Sequence, residues 1–207
     1  MPDDDRAAAL ALTPVSPQAE AKLATLADEL RRWQRVKNLV GPGTLDRIWT
    51  RHFADSLQLL DLAPDARTWL DLGSGAGLPG LVLGIVLAEW GGRIDLVESN
   101  GRKCAFLRHA ARVTGAAARV HEGRIEALVP RFAGVEVVTA RALAPLPKLL
   151  AWNERLLKTG TVGLFPKGRE AEVELTEARK SLRFEADVVP SRTDREGRII
   201  RVTIEPA

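Results

Sequence analysis

The chain has 207 residues, 45% of them hydrophobic and 28% charged, a size and balance that suit one soluble globular domain able to bury a full core without staples. Its one cysteine, Cys104, excludes an internal disulfide framework and fits a reducing compartment, and no stretch approaches the roughly 20 apolar residues of a membrane span. A net charge of +3 permits a nucleic-acid partner without establishing one; the apolar run near the start is too short for a signal peptide, so a cytoplasmic location is expected.

Residues 1–16, with Pro2, Pro14 and three consecutive aspartates, read as a loose tail. From Pro17 to Asn38, Leu23, Leu26, Leu30 and Trp33 recur at spacings of three and four, the apolar face of a helix. The opposite face ends in Arg31, Arg32, Arg35 and Lys37. GPG at 41–43 interrupts the pattern, and a second helix is expected over 44–62 with Ile48, Phe53, Leu57 and Leu60 inward. Residues 17–65 thus form a helical cap. In 66–207 the rhythm changes. Strand-like runs at 68–72, 94–98, 118–121, 135–139 and 161–165 alternate with helical patterns at 79–90, 101–114, about 124–132 and 145–157. That alternation predicts a parallel sheet wrapped on both faces. RFEADVVP and RIIRVTIEP, joined by SRTDREG, read as an antiparallel hairpin. The expectation is an α/β fold: a seven-stranded, mostly parallel sheet whose C-terminal hairpin reverses one strand, forming one unit with the cap. That order resembles Rossmann-like (class I) methyltransferases dependent on S-adenosylmethionine (SAM), not dehydrogenases.

LDLGSGAGLPGLVL, residues 70–83, places Asp71 at the end of an apolar run and glycines at 73, 75, 77 and 80. A glycine-rich turn between strand and helix is a nucleotide site. The spacing satisfies both the dinucleotide expression and the looser SAM pattern. Two acids bear on the choice. Glu98, ending the next strand, can accept both ribose hydroxyls of an adenine nucleoside, and is neutral between the candidates. Asp71 would repel a pyrophosphate, whereas SAM brings an ammonium and a sulfonium. Asp71, Gly73, Gly75, Gly77 and Glu98 are therefore candidate cofactor residues, with SAM as cofactor and S-adenosylhomocysteine as product.

The turn after the fourth strand, TARALAPLP at 139–147, lacks the Asn/Asp-Pro-Pro-aromatic sequence of exocyclic-amine methyltransferases. Cys104 follows the second strand, away from the place of a carbon-5 nucleophile, and reads as a small buried residue. An atom already nucleophilic remains, such as guanine N7, or an oxygen needing a base. With aromatic residues at 5% and no tyrosine, the chain offers little for a lidded small-molecule pocket.

Several segments together resemble one family, the bacterial small-subunit rRNA guanine-N7 methyltransferases (RsmG, or glucose-inhibited division protein B). They are Asn38-Leu39, TRHFADSL, DLGSGAGLPG, LVESNGRKCAFLR, GRIEAL, TARALAPL and FPKGRE, in family order from about residue 30 onward. Departures are Glu98 for the usual Asp, Phe165-Pro166-Lys167-Gly168 for Leu-Lys-Gly, and Ala140 for a serine. The resemblance implies SAM-dependent methylation of one guanine in the 530 loop of 16S rRNA. The substrate would be the RNA, the small subunit or an assembly intermediate; the enzyme is expected to be monomeric, off the membrane and without a metal. It places cofactor contacts on Gly73, Leu78, Ile125, Glu126 and Arg141. Arg141, His52 and Lys167 are candidates for positioning the target. Arg31, Arg32, Arg35, Lys37, Arg51, Lys167 and Arg169 are candidates for RNA phosphates. Two alternatives are a methyltransferase of another RNA site or a small molecule, and a SAM-binding scaffold without catalysis.

Overall fold

Short runs rich in valine, isoleucine and leucine, bounded by glycines and turn residues, form the strands of one sheet. They are β1 (Thr68–Leu72), β2 (Arg93–Glu98), β3 (Ala118–Glu122), β4 (Val137–Thr139), β5 (Val162–Lys167), β6 (Glu185–Pro190) and β7 (Arg198–Thr203). The computed structural model describes residues 2–35, 39, 41 and 43–205; Lys37 and Asn38 lie outside the described residues. The sheet order is β3-β2-β1-β4-β5-β7-β6. β1 to β5 are parallel, and β7 runs antiparallel to both β5 and β6. The predicted seven-stranded sheet with one reversed strand is the observed one.

Helices α4 (Gly80–Glu89) and α5 (Gly101–Thr114) cover one face, and α7 (Leu146–Lys158) and α8 (Ala171–Ala178) the other. α4 is apolar all round, as a helix covered on two sides must be. It is buried from Gly80 to Leu87 between the sheet and the cap. α5 starts where the Asn100 side chain accepts from the backbone of Arg102 and Lys103, and stops at Gly115 in the left-handed conformation. The expected helix over 124–132 is shortened to α6 (Ile125–Leu128) and a 3-10 turn, Val129–Arg131, because Pro130 removes a donor. α8 had no counterpart among the expected elements. Cys104 is fully buried.

The N-terminal region departs from expectation. Residues read as a loose tail form α1 (Pro2–Leu12). Proline at the first helical position and acids in the first turn are helix-starting features, and the alanine-leucine run that follows propagates it. α2 (Pro17–Gln34) is capped by Ser16, and Leu23, Leu26 and Leu30 are buried as expected. The second cap helix is broken into a 3-10 turn (Leu45–Arg47), a π-helix (Trp49–Ala54), α3 (Asp55–Leu57) and another 3-10 turn (Leu60–Leu62). Ile48, Phe53, Leu57 and Leu60 still point inward. Ala9, Leu30 and Phe53 share one hydrophobic cluster with Trp69 and Leu83, so cap and sheet bury a common core.

Replacing Asn100 by Ala removes the α5 cap. We expect a loss of about 1 kcal/mol, read as a fall in thermal midpoint of roughly 2–4 °C by calorimetry.

Candidate active site

The glycine loop leaves β1 and turns sharply into α4. Gly73, Gly75 and Gly77 have φ of +65°, +55° and +80°, a region that costs other residues about 1–2 kcal/mol. Packing adds a second demand. A Cβ on Gly73 would stand 2.5 Å from Leu143 Cδ1, on Gly77 2.3 Å from Leu81 Cδ1, and on Gly80 2.5 Å from Asp71 Oδ2. At Gly75 it would meet only the Gly73 carbonyl, at 3.7 Å. Three glycines therefore serve the loop's own packing. Gly75 alone leaves an open cradle, which fits a cofactor that lies along the backbone.

Asp71 is buried under this loop. Its Oδ2 accepts from the Gly80 N–H at 3.2 Å at the start of α4, and its Oδ1 has no partner. Burial pushes the carboxyl up to about 7, against the pull of the Gly80 N–H and the Arg141 charge. Glu98, at the tip of β2, accepts from the Gly75 N–H at 3.0 Å and the Asn100 N–H at 2.8 Å. Each oxygen keeps a lone pair for a hydroxyl donor. The Gly123 N–H donates to the Glu98 carbonyl, which brings the start of α6, with Ile125 and Glu126, to the same edge. Ile125 is nearly buried in the core, and Glu126 is exposed.

A cavity of about 750 Å³ opens beside Gly75 along the carboxyl ends of β1, β4 and β5, where open α/β sheets bind ligands. Its walls bring together Gly73, Gly75, Leu78, Arg51, His52, Arg141 and Lys167 from the expected set. Asp71, Gly77, Glu98, Ile125, Glu126 and Arg169 stand outside those walls. On α2, Arg31 pairs with Asp28 at 3.3 Å and Arg32 with Glu29 at 3.1 Å. Arg35 is exposed at the end of that helix.

Arg141 is the hub. Its Nη1 donates to Asp55 Oδ2 and its Nη2 to His52 Nδ1, both at 3.0 Å. Asp55 Oδ1 accepts from Thr193 Oγ1 at 2.8 Å and from Gln58 Nε2 at 3.0 Å. The hairpin loop is thereby tied to the cap and to the β4 turn. In that turn Ala142 has φ of +52°, a strained value for alanine. Because arginine cannot accept, His52 Nδ1 must, and the ring proton sits on Nε2. That atom is buried without a partner. Burial, then the Arg141 and Arg51 charges, lower the His52 pKa to about 4. Lys167 Nζ pairs with Glu174 of α8 and donates to the Ala144 carbonyl, each at 2.7 Å. Arg51 pairs with Asp194 at 2.8 Å. Among the described residues the walls therefore hold five cations (Arg51, Lys103, Arg141, Lys167, Arg198) and three carboxylates (Asp55, Glu174, Asp194), each carboxylate paired to a cation. Sequence reasoning missed Gln58, Glu174 and Asp194. The polar run SRTDREG signals a turn and nothing about what the turn reaches.

The family model described as rRNA small subunit methyltransferase G matches residues 19–198. The chain is 61% identical to ribosomal RNA small subunit methyltransferase G of Methylobacterium radiotolerans, covering 98% of this chain and 96% of that protein. It is 52% identical to the protein of that name from Rhodopseudomonas palustris, covering 98% and 88%. Among solved structures it is similar in fold to an SAH-bound methyltransferase of Podospora anserina, with a TM-score of 0.66 at 14% identity over 98% of this chain and 94% of that one. It is also similar in fold to MtNAS in complex with S-adenosylmethionine, with a TM-score of 0.59 at 20% identity over 88% and 73%.

A carboxyl whose pKa rises on folding favours the fold fully below pH 3.8 and loses that contribution as pH climbs to about 7. Asp71→Asn removes this dependence and keeps an acceptor for Gly80. Urea unfolding at pH 5, 6, 7 and 8 should show the wild type losing up to about 1.4 kcal/mol per pH unit relative to the variant below pH 7, and no further difference above it.

Proposed function

Because the chain belongs to the rRNA small subunit methyltransferase G family, we propose that it methylates N7 of one guanine in the 530 loop of 16S rRNA, using SAM. SAM supplies an electrophilic methyl group on a sulfonium. Gly73, Gly75 and Leu78 line the place where it would lie, Glu98 would take its ribose hydroxyls, and Ile125 and Glu126 would flank its adenine. Arg141 faces the same cavity from the β4 turn.

The observation that carries the N7 reading is the state of His52. Its Nδ1 lone pair is occupied by Arg141 and its other nitrogen bears the proton. The carboxylates on the cavity walls are likewise held by Arg141, Lys167 and Arg51. His109 pairs with Glu29 and His121 with Asp95, away from these walls. Guanine N7 carries a lone pair and no proton, so the residues need only hold the base in line. An oxygen or exocyclic amine would need a proton acceptor, which these groups are poorly placed to be. His52, Arg141 and Lys167 then act by position and by fixed dipoles.

The surplus of cations over carboxylates favours a polyanion at the cavity mouth. Arg31 and Arg32 already face carboxylates of their own helix, Arg51 pairs with Asp194 and Arg169 with Glu196, so the phosphate contacts fall chiefly to Lys103 and Arg198 on the walls and to Arg35 beyond them. Lys37 completes the set by sequence.

Transfer of tritiated methyl from SAM to small-subunit RNA lacking its native modifications, with mapping of the labelled base, tests the assignment; label on any atom other than guanine N7 defeats it. His52→Asn should lower single-turnover transfer by about 10- to 100-fold. His52 should contribute no limb between pH 6.5 and 8.5, because it titrates near 4; any inflection near 7 belongs to Asp71 and should be the same in wild type and variant. A wild-type limb that falls tenfold per unit below neutrality and vanishes in the variant would make His52 a general base.

Changing Lys103 and Arg198 together to Gln should weaken RNA binding and reduce its logarithmic salt slope by about one to two. SAM affinity, measured by calorimetry, should be unchanged.

A further inference from the structure

Helix α1 lies outside the residues matched by the family model, yet it packs against the π-helix that carries His52. The Asp5 carboxylate accepts from the backbone N–H of Trp49 at 2.9 Å and of Thr50 at 3.2 Å, and from the Thr50 hydroxyl. The neighbouring Arg6 guanidinium stands 4.9 Å from the centre of the Trp49 ring and pairs with Glu20 of α2 at 2.6 Å. Ala9, one turn on, is buried in the shared core.

The first N–H groups of any helix have no acceptor within it, and a π-helix, bonding i to i+5, has more of them than an α-helix. Ile48, at the N-cap, has no side chain to answer them. Asp5 answers two from 44 and 45 residues away. Two and five residues after Thr50 come His52 and Asp55, the two groups that grip Arg141.

We propose that Asp5 is a positioning residue: it sets the first turn of the π-helix, and through it the grip of His52 and Asp55 on Arg141. The inference rests on the methyl-transfer reading, in which Arg141 acts at the cavity. Removing the Asp5 carboxylate leaves two backbone donors to water, lets the turn relax and loosens the guanidinium. The fold and the glycine loop, held by separate contacts, remain.

The test is a double-mutant cycle on the full chain, with wild type, Asp5→Ala, Arg141→Ala and the pair. Asp5→Ala should lower kcat for rRNA methylation about tenfold and leave the SAM Kd within about twofold. In the Arg141→Ala background the same change should cost less than about twofold. An equal loss in both backgrounds, or none in the wild-type background, overturns the proposal, since a general loss of stability would act independently of Arg141. If thermal melting shows Asp5→Ala unfolded, Asp5→Asn, which keeps one acceptor oxygen, takes its place in the cycle. A wild-type chain that transfers no methyl group to rRNA defeats the methyl-transfer reading itself. Hydrogen exchange then decides on Asp5 alone: the variant must speed exchange at 49–55 and 140–143 and leave 71–80 unchanged, and protection at 140–143 equal to wild type overturns the role.

Discussion

The Arg141 guanidinium must have partners wherever it is held, because a largely buried cation without them costs several kcal/mol. Its partners come from the cap: Asp55 and His52, each 3.0 Å away. Asp55 in turn accepts from Thr193 and Gln58, and Gln58 takes the Arg192 N–H and donates to Ser191. One charge thus connects the β4 turn, the cap and the hairpin loop. Cutting Arg141 off from Asp55 would leave a partly buried charge with His52 as its remaining partner, a destabilising change. The network fixes the polar side of the cavity walls, so part of their shape and their electrostatics have a common origin.

The same requirement decides what chemistry the walls can perform. Arginine only donates, so His52 is obliged to accept and is spent as a base. Each wall carboxylate is bound to a cation. What is left is a positively biased cleft beside an open glycine. Such a cleft suits a polyanionic substrate whose reacting atom needs orientation without deprotonation. The π-helix is the element on which this depends, since it carries Arg51 and His52 and delivers Asp55 immediately after. Irregular helical turns of this kind recur at functional sites, where side chains must be aimed in ways a regular helix does not allow.

The glycine loop has a different logic from the one its spacing suggests. Glycines 73, 77 and 80 are required by Leu143, Leu81 and Asp71, respectively. Gly75 alone faces the cavity with room to spare, and its N–H meets Glu98. Asp71, whose acidity at the strand tip reads as a partner for a cationic cofactor, lies under the loop as the acceptor for the first turn of α4. Its charge still acts at a distance, and burial makes that charge depend on pH near neutrality.

Much of this was legible in the chain itself. The change from helical spacing to alternating strands and helices specified the sheet, and the terminal hairpin its reversed strand, because periodicity records which face of an element is buried. Runs of matching residues carried the family, and Gly73, Gly75, Leu78, Arg141, His52 and Lys167 do meet at one cavity. The first 16 residues misled, since prolines and aspartates mark both tails and helix starts, and only a packing surface decides between them. The regular helix expected over 44–62 failed because its apolar spacing also fits a chain of short irregular turns. Tertiary structure alone decided the pairings across long separations: His52 with Arg141 over 89 residues, Asp55 with Thr193 over 138, Asp5 with Trp49 over 44. Local spacing reports which side of a helix or strand is apolar. It cannot report which distant donor a buried acceptor will meet, because that depends on how the finished elements pack.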